Sequence, residues 1–556
     1  INARHREEAA RLCQEKDDDD DQIDVGDEES KAAVDAEIES LHGDVDDDDE
    51  PAPENVPGVT DGNSEVQYNT QWGRTVNLCN WKQNGGIKIS PKLNFGFEDG
   101  LDRKPSVLEI FENFFFKPFI CNILLPATNA ALNGKELLYG EFLLFLGIWF
   151  LMSTIVGPQR EEFWSSKPIS PFDGAPFRDN HWMPKNRFEA ILSSLRFTNR
   201  ERPTFKDRFW QVRQMIQEWN ENMKQVFSPS WISCLDESMS TWINKYTCPG
   251  FMFVPRKPWP FGNEYHTIAC GLSGILYGIE LVEGKDHPSN IEVEYDGLGK
   301  TVGLLLRLTK SIWSSGRIVV LDSGFCVLRG IIELAKKGVY AAALIKKRRY
   351  WPKHVDGEAI KRHFEGKSVG SVDTLCGEMD GIKFDLFCMK EPDYTMMLMS
   401  TYGTTLRRGP MKKRTWTTRS EKFSTEFQYP EVVYNHYTYR HVVDDHNAKR
   451  HSPISLEVTW ATKRWECRVF AFLLAITEVN TMLACLLFLS MEKISMLDFR
   501  KMLAWELIYN PYVPMEDNSE EPRSKKRTKP EPVVHIKQRK DPTIKSEKLE
   551  GSVRVV

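Results

Sequence analysis

The sequence predicts an α/β protein built around a mixed sheet, and three observations lead to that fold class. Through residues 100–230, apolar side chains recur at spacings of three and four, which is typical of amphipathic helices. From residue 231 the pattern changes to short runs rich in β-branched and apolar residues, bounded by glycine and proline. A helical segment separates two such runs after a hairpin, and a strand–helix–strand unit of this kind implies a mixed α/β sheet.

These patterns place each element on the chain. Helices are expected at residues 106–119, 135–152, 185–197 and 207–227. Strands are expected at residues 230–242, 265–284, 316–327 and 340–347, with a hairpin turn at Leu272-Ser273-Gly274 and a helix over 327–338. A further strand pair is expected at residues 383–390 and 394–403, and helix returns after residue 431, with its longest run at 464–488.

Two strongly apolar stretches raise the question of a membrane span. The first, residues 142–157, is shorter than the roughly 20 residues that a bilayer requires. The second, residues 470–489, is interrupted by Glu478 and Asn480. Both are predicted to be buried core helices, so we expect a soluble protein with no membrane partner.

Charge is distributed unevenly along the chain. Residues 1–65 carry 24 Asp and Glu against 5 Lys and Arg, whereas the remainder has a net charge of +13. Such an acidic segment is expected to stay unfolded, as a solvating tail or as a decoy that competes with DNA for the basic body. Residues 511–556 are expected to be a second disordered tail. It carries the basic run Ser524–Pro530, which resembles a nuclear-import signal and predicts a nuclear location.

The eleven cysteines are scattered without a single CxxC pair, which argues against both a disulfide framework and a zinc ribbon. A reducing compartment fits this usage, with most thiols acting as small buried apolar groups. No cysteine follows Cys485, so a C-terminal zinc finger with four nitrogen or sulfur ligands is not expected.

Two aspartates close predicted buried strands, Asp236 in CLDES and Asp322 in VVLDSG. A lone aspartate at a strand end is often a turn or cap residue. Two carboxylates at neighbouring strand ends, however, are the ligands that metal-dependent phosphoryl transfer uses to hold divalent cations. The sequence therefore leaves both interpretations open, a pair of turn residues or a Mg²⁺ or Mn²⁺ site.

Longer stretches resemble a known family. They include GEFLLFLGIWFLMSTIVGPQREEFWSS, SPSWISCLDESM, VVLDSGFCVLRGIIELAKKGVYAAALIKKRR and RWECRVFAFLLAITEVNTML. Their order and spacing over about residues 100–490 resemble the piggyBac-type DDE transposases and the domesticated proteins derived from them. Members cut and paste DNA at TTAA targets with Mg²⁺ and three aspartates. The resemblance thus implies metal-dependent DNA cleavage and strand transfer, with double-stranded DNA as the partner and no small-molecule substrate.

The resemblance also implies an architecture. It comprises an RNase H-like core with a five-stranded mixed sheet and flanking helices, a helical dimerisation and DNA-binding region before it, and an insertion within it. On this chain the expected units are an acidic arm (1–65), the helical region (66–230), the first part of the core (231–350), the insertion (351–430), the C-terminal helical part of the core (431–510) and the tail (511–556). A homodimer is expected.

Carried over by position, Asp236 and Asp322 match the first two catalytic aspartates. The third departs from the family's pattern YNxYxGGVDxxD, because this chain has YNHYTYRHVVDDHN from Tyr434. Aligned without a gap, the third aspartate becomes Val442 and the second aspartate of the pattern falls on Asp445; a two-residue insertion places Asp444 at the first position instead. Strand cleavage therefore depends on whether Asp444 or Asp445 supplies the missing carboxylate.

Clustered basic residues are the expected DNA contacts, because each phosphate contact releases counterions and adds affinity that is independent of sequence. The predicted contacts are Arg256, Lys257, Lys346, Lys347, Arg348, Arg349, Arg407, Arg408, Lys412, Lys413 and Arg414. A second hypothesis from another class is a non-catalytic chromatin or protein-interaction module that retains the fold. Convergence of a third carboxylate on the first two would favour chemistry.

Overall fold

A computed structural model provides the three-dimensional structure. It describes residues 67–69, 89–94, 104–155, 160–165, 182–203, 207–242, 245–254, 260–283, 295, 297–345, 357–392, 394–402, 410–417, 422–460 and 462–513. The predicted acidic arm, the import signal and the basic residues at 256–257, 346–349 and 407–408 lie outside these ranges.

A ten-stranded mixed sheet forms the centre of the protein. Its strands follow the order β1-β10-β11-β12-β9-β8-β4-β6-β5, with β7 also paired to β6. The strands of this sheet are β1 (Gln67–Asn69), β4 (Ile232–Thr241), β5 (Phe251–Phe253), β6 (Phe261–Cys270), β7 (Leu276–Leu281), β8 (Ile318–Leu321), β9 (Tyr340–Ile345), β10 (Val372–Met379), β11 (Ile382–Lys390) and β12 (Thr395–Ser400). Two small antiparallel pairs stand apart, β2 (Lys92–Leu93) with β3 (Phe227–Ser228) and β13 (Met411–Thr417) with β14 (Lys422–Gln428).

The middle of the sheet is parallel, as the strand–helix–strand pattern predicts. Strand β8 pairs in parallel with β4 on one side and with β9 on the other, and the remaining pairings are antiparallel. Strand β8 reads IVVL and all four of its side chains are buried. Continuous apolar runs of this kind are typical of parallel strands, because both faces of the sheet are covered.

Helices surround the sheet, and those before residue 230 match the predicted positions closely. The helices are α1 (Val107–Phe114), α2 (Lys117–Phe119), α3 (Leu125–Ala131), α4 (Tyr139–Met152), α5 (Lys185–Ser194), α6 (Trp210–Val226), α7 (Lys300–Thr309), α8 (Leu328–Lys336), α9 (Gly357–Phe364), α10 (Glu431–Tyr439), α11 (Val442–His451), α12 (Leu456–Thr459), α13 (Trp465–Phe488) and α14 (Met496–Ile508). A π-helical turn, Ile120–Leu124, joins α2 to α3.

The insertion differs from a separate β subdomain. Strand β12 pairs with β9, so β10, β11 and β12 extend the main sheet beyond its parallel centre. The β13–β14 pair instead lies over the sheet, where Trp416 and Phe427 join an apolar cluster with Val432 of α10. Local periodicity predicts β11 and β12 individually, but the pairing of β12 with β9 joins segments about 50 residues apart and leaves no local signal.

One apolar core links the helices to the sheet. Helix α4 packs against α14, and a Cβ added at Gly147 would lie 2.8 Å from Ile508, so glycine permits this close approach. Of the described helices, α13 is long and apolar enough to cross a membrane by length and composition alone, yet 89% of its most apolar window is buried inside the protein. This burial agrees with the prediction of a core helix.

A buried ion pair joins the two C-terminal helices within that core. Both side chains are almost completely inaccessible, and Arg500 donates to the two carboxylate oxygens of Glu478 at 2.7 and 2.8 Å. Arg500 also donates to the carbonyl of Ile454 at 2.6 Å. The glutamate that interrupts the apolar run of α13 is therefore a packing residue with a dedicated partner.

The substitution Glu478→Gln should destabilise the protein, because it leaves the Arg500 guanidinium buried without a counter-charge. We expect a loss of about 3 kcal/mol in the free energy of unfolding, measured by urea denaturation. The control Lys501→Gln, on the exposed side of α14, should change stability by less than about 0.5 kcal/mol. Equal stability of Glu478→Gln and wild type would contradict the structural role of the pair.

Candidate active site on the parallel strands

The two predicted acids lie at neighbouring positions on paired strands, but only Asp322 is at a strand end. The expectation that Asp236 closes its strand is wrong, because β4 continues to Thr241 through its antiparallel pairing with β6. Strands β4 and β8 run in parallel, and their last paired residues are Leu235 and Leu321. Asp236 follows the first of these and Asp322 follows the second, where Asp322 precedes a short 3₁₀ turn, Ser323–Phe325. Because Leu235 and Leu321 are partners in the parallel register, the two aspartates that follow them lie at neighbouring positions.

Strand alternation determines which face the acids occupy. The preceding leucines, Leu235 and Leu321, both belong to the main core on one face of the sheet. The residues flanking them therefore point to the opposite face, where Cys234 contacts helix α11. Asp236 is 6% exposed and accepts a hydrogen bond from the backbone amide of Glu237 at 2.8 Å, while Asp322 is half-buried.

A buried network holds α11 against β4. Arg450 forms an ion pair with Glu457 of α12 and donates to the carbonyl of Met239 at 2.7 Å. Ser240 of β4 donates to the other oxygen of Glu457 at 2.7 Å. The inward face of α11 consists of Val443, His446 and Arg450, at helical spacing.

This helix register decides what occupies the third position. Val442 is half-buried and packs beside Cys234, Ala269 and Val443, so the residue that the gapless match assigns to the third acid is in an apolar contact next to the strand of Asp236. Asp445 lies on the exposed side of α11. Asp444 is also exposed, with 54% of its side chain accessible, and lies 3.9 Å from His441.

The thiol of Cys234 reports on the surrounding charges. Burial raises its pKa well above the ordinary value, and the negative charges of Asp236, Asp444 and Asp322 raise it further. The charge of Asp444 therefore acts on the same thiol as the charges of Asp236 and Asp322.

The donor chemistry of these acids suits a hard divalent cation, since Mg²⁺ and Mn²⁺ prefer carboxylate oxygens. Within the described ranges, however, no group of three or more His, Cys, Asp or Glu side chains is close enough to hold a metal ion. The pairing register leaves Asp236 and Asp322 as two neighbouring carboxylates, and Asp444 is exposed on α11.

Of the predicted DNA contacts, three fall within the described structure. Lys412 and Lys413 are exposed on β13. Arg414 instead forms an ion pair with Glu391, has only 15% of its side chain exposed and lies 5.0 Å from the ring of Trp416. This geometry gives Arg414 a packing role in the insertion and does not favour contact with DNA.

Sequence reasoning missed the residues that position α11. Arg450 and His446 are polar, so periodicity assigns them to the surface, although both are buried. His446 and Arg450 follow Val443 by three and seven residues, and this helical spacing was the only sequence signal for their burial. Arg440 and His441 were likewise not singled out, yet they lie at the junction between α10 and α11, beside Cys234.

Comparison with known proteins agrees with this architecture. A family model described as Transposase IS4 matches residues 106–482, which covers both candidate acids and the helices on each side. The chain belongs to this family of DDE transposases. Within it, the chain is of the piggyBac type, the group that includes the proteins derived from piggyBac transposable elements.

Individual relatives extend the comparison. The chain is 25% identical over 283 residues to human PiggyBac transposable element-derived protein 3 and, over the same length, to the human chimeric ERCC6-PGBD3 protein. These alignments cover 49% of the chain but only 45% and 25% of the two relatives. In fold, the chain is similar to a piggyBac transposase solved by cryo-EM as a synaptic complex with hairpin DNA, with a TM-score of 0.55, 16% identity, and coverage of 76% of this chain and 83% of that one.

The helices that carry the site should make stability depend on pH. Burial lowers the pKa of His436 and His446 to about 3 each and that of His451 to about 2. In the unfolded chain these groups titrate near 6.5, so below that pH the unfolded state binds more protons than the folded state. The contribution of these neutral histidines to the free energy of unfolding is therefore fully present above about pH 6.5 and is lost as the pH falls.

Urea denaturation at pH 7.5 and pH 5.5 checks this expectation. Each histidine should cost about 1.4 kcal/mol per pH unit below 6.5, so the three together should lower the free energy of unfolding by about 4 kcal/mol. His446→Gln should remove about a third of this dependence, whereas His441→Gln, on an exposed side chain, should leave it intact. An equal pH dependence in wild type and His446→Gln would show that His446 is not held neutral.

Proposed function

We propose that this protein is a DNA-binding relative of cut-and-paste transposases that retains two of its three metal-binding positions and is impaired in strand cleavage. The observation that carries the proposal is the pairing register of β4 and β8. Asp236 and Asp322 lie side by side on parallel strands, while Val442 fills the third position with an apolar side chain. Binding to duplex DNA is supported by family membership and by the basic body.

In this proposal Asp236 and Asp322 would hold Mg²⁺ or Mn²⁺, which supplies an activated water and neutralises charge on the scissile phosphate. The chain's own contribution is to keep both carboxylates at neighbouring positions where β8 ends beside β4, and to fix α11 against β4. The strands β7, β6, β4, β8 and β9 would correspond to the five-stranded RNase H-like core that the resemblance implies. Cleavage then depends on Asp444 or Asp445 to supply the third carboxylate.

Several further features belong to the proposal. The helices before residue 230 would supply a dimerisation and DNA-binding region, so a homodimer is expected. The basic run Ser524–Pro530 would direct the protein to the nucleus. The acidic arm would compete with DNA for the basic surface.

A non-catalytic module for chromatin or protein interaction is the second candidate. Two observations favour it: Val442 cannot coordinate a cation, and Asp444 faces solvent. Such a module would keep the fold and the DNA-binding surface and would have no use for the carboxylates. Measurement of cleavage therefore separates the two candidates.

Restoration of the missing carboxylate by Val442→Asp tests the proposal. The substitution adds an oxygen ligand beside the strand of Asp236, so we expect strand cleavage of TTAA-flanked DNA with Mn²⁺ to rise at least tenfold, equivalent to about 1.4 kcal/mol of barrier. The gain should disappear in the double variant that also carries Asp236→Asn. Gel shifts on the same DNA should show that binding is unchanged.

Two results would contradict the proposal. Brisk cleavage by wild type that survives both Asp444→Ala and Asp445→Ala would mean that another residue completes the site. No cleavage by Val442→Asp, together with binding and folding equal to wild type, would favour the non-catalytic module. Loss of wild-type cleavage in Asp444→Ala alone would identify Asp444 as the third acid.

A further inference from the structure

The junction between α10 and α11 carries large side chains where the family resemblance implies two glycines. Tyr439 packs edge-on against Trp231, with 6.0 Å between ring centroids. Arg440 places its guanidinium 5.0 Å from the ring of Tyr437, and its carbonyl accepts a hydrogen bond from Cys234 at 3.4 Å. Since Cys234 is two positions before Asp236 on the same face of β4, Arg440 lies next to the candidate site.

Nearer the N-terminal end of α10, a second cation lies over an aromatic ring. The ammonium group of Lys412, on β13, lies 4.9 Å from the ring of Tyr434. Tyr434 and Tyr437 are three residues apart, and Arg440 is three further, so all three share one side of the helix. We call this surface the α10 strip; it consists of Lys412, Tyr434, Tyr437, Arg440, His441 and, beside them, Tyr394.

The carboxylate of Asp444 lies 3.9 Å from His441, at one end of the strip. Within the described structure, no ion pair joins Lys412 or Arg440 to an acid, and the nearby Glu391 is already paired with Arg414. Arg440 donates through Nε to His441 at 3.0 Å, which leaves the rest of its guanidinium for other acceptors. The cations rest on aromatic rings, which orient them without removing their charge.

Tyr394 adds an exposed aromatic ring to this surface. It lies in the turn between β11 and β12 and is 61% exposed. Tyr437 donates to the sulfur of Met396, two residues after Tyr394, at 2.9 Å, so the turn that carries Tyr394 lies against α10. Burial and the charge of Glu391 raise the pKa of Tyr394, whereas the guanidinium groups of Arg414 and Arg440 lower it. A basic groove with an exposed aromatic side chain is the arrangement with which proteins bind unpaired nucleic acid strands.

We propose that the α10 strip binds the phosphate backbone of a DNA strand beside the candidate site, with an unpaired base stacked on Tyr394. The inference rests on the proposed DNA binding and extends it by naming the part of the DNA that is held and the residues that hold it. It involves neither Asp236 nor Asp322, so the strip should bind without divalent metal. Residues 439–441, which depart from the family's glycines, would then belong to a DNA-binding surface.

Fluorescence anisotropy of the full chain in EDTA tests the proposal with two DNA probes. One is a blunt duplex, and the other is the same duplex with a single-stranded tail. Wild type should bind the tailed probe more tightly. Arg440→Gln and Lys412→Gln should each weaken binding of the tailed probe about threefold to tenfold and reduce the salt slope by about 1.

Tyr394→Ala should abolish the preference for the tailed probe while binding to the blunt duplex stays as in wild type. The control Lys501→Gln removes an exposed lysine from α14, far along the chain from the strip, and should leave both probes unaffected. Thermal denaturation should show that every variant remains folded.

If wild type binds DNA and Arg440→Gln and Lys412→Gln bind it equally well, the strip is not the binding surface. If wild type binds neither probe, the proposed function itself fails.

Discussion

The buried ion pair between Arg450 and Glu457 is the constraint on which the geometry of the candidate site depends. It ties α11 to β4 through Met239 and Ser240, and both charges are inaccessible to water. Sliding α11 by one residue would separate two buried charges, which costs several kcal/mol. The register of α11 is therefore fixed, and with it the inward position of Val443 and the outward position of Asp444.

This constraint separates the stability of the fold from the composition of the candidate site. Strand pairing keeps Asp236 and Asp322 at neighbouring positions, whatever side chains α11 carries. A separate buried network fixes the helix, with Val442 packed against Cys234 and Ala269. The fold and the candidate site thus depend on different residues, so the fold does not require a carboxylate at position 442. The basic and aromatic side chains of α10 also lie outside both networks.

Local sequence patterns could predict the parallel strands, the buried helix α13 and the position of Asp322 after its strand, because each follows from periodicity over a few residues. The position of Asp236 was predicted wrongly as a strand end, because pairing with β6 extends β4 to Thr241. Pairing of β12 with β9 could not be predicted, since it joins distant segments. The register of α11 against β4 could not be predicted from the sequence either. Its buried face includes His446 and Arg450, whose partners are distant in sequence, and hydrophobic spacing treats both as surface residues. Arg414 was assigned to DNA from its basic neighbours, although Glu391 and Trp416 enclose it.

The number of manganese ions bound tests the central claim most directly, namely that two carboxylates are in place and the third is not. Titration of the metal-free protein with Mn²⁺, followed by electron paramagnetic resonance, should give one ion of measurable affinity in wild type and none in Asp236→Asn. The variant Val442→Asp should bind a second ion, because paired cations need the additional carboxylate. Two tightly bound ions in wild type, or one that persists in Asp236→Asn, would contradict the account.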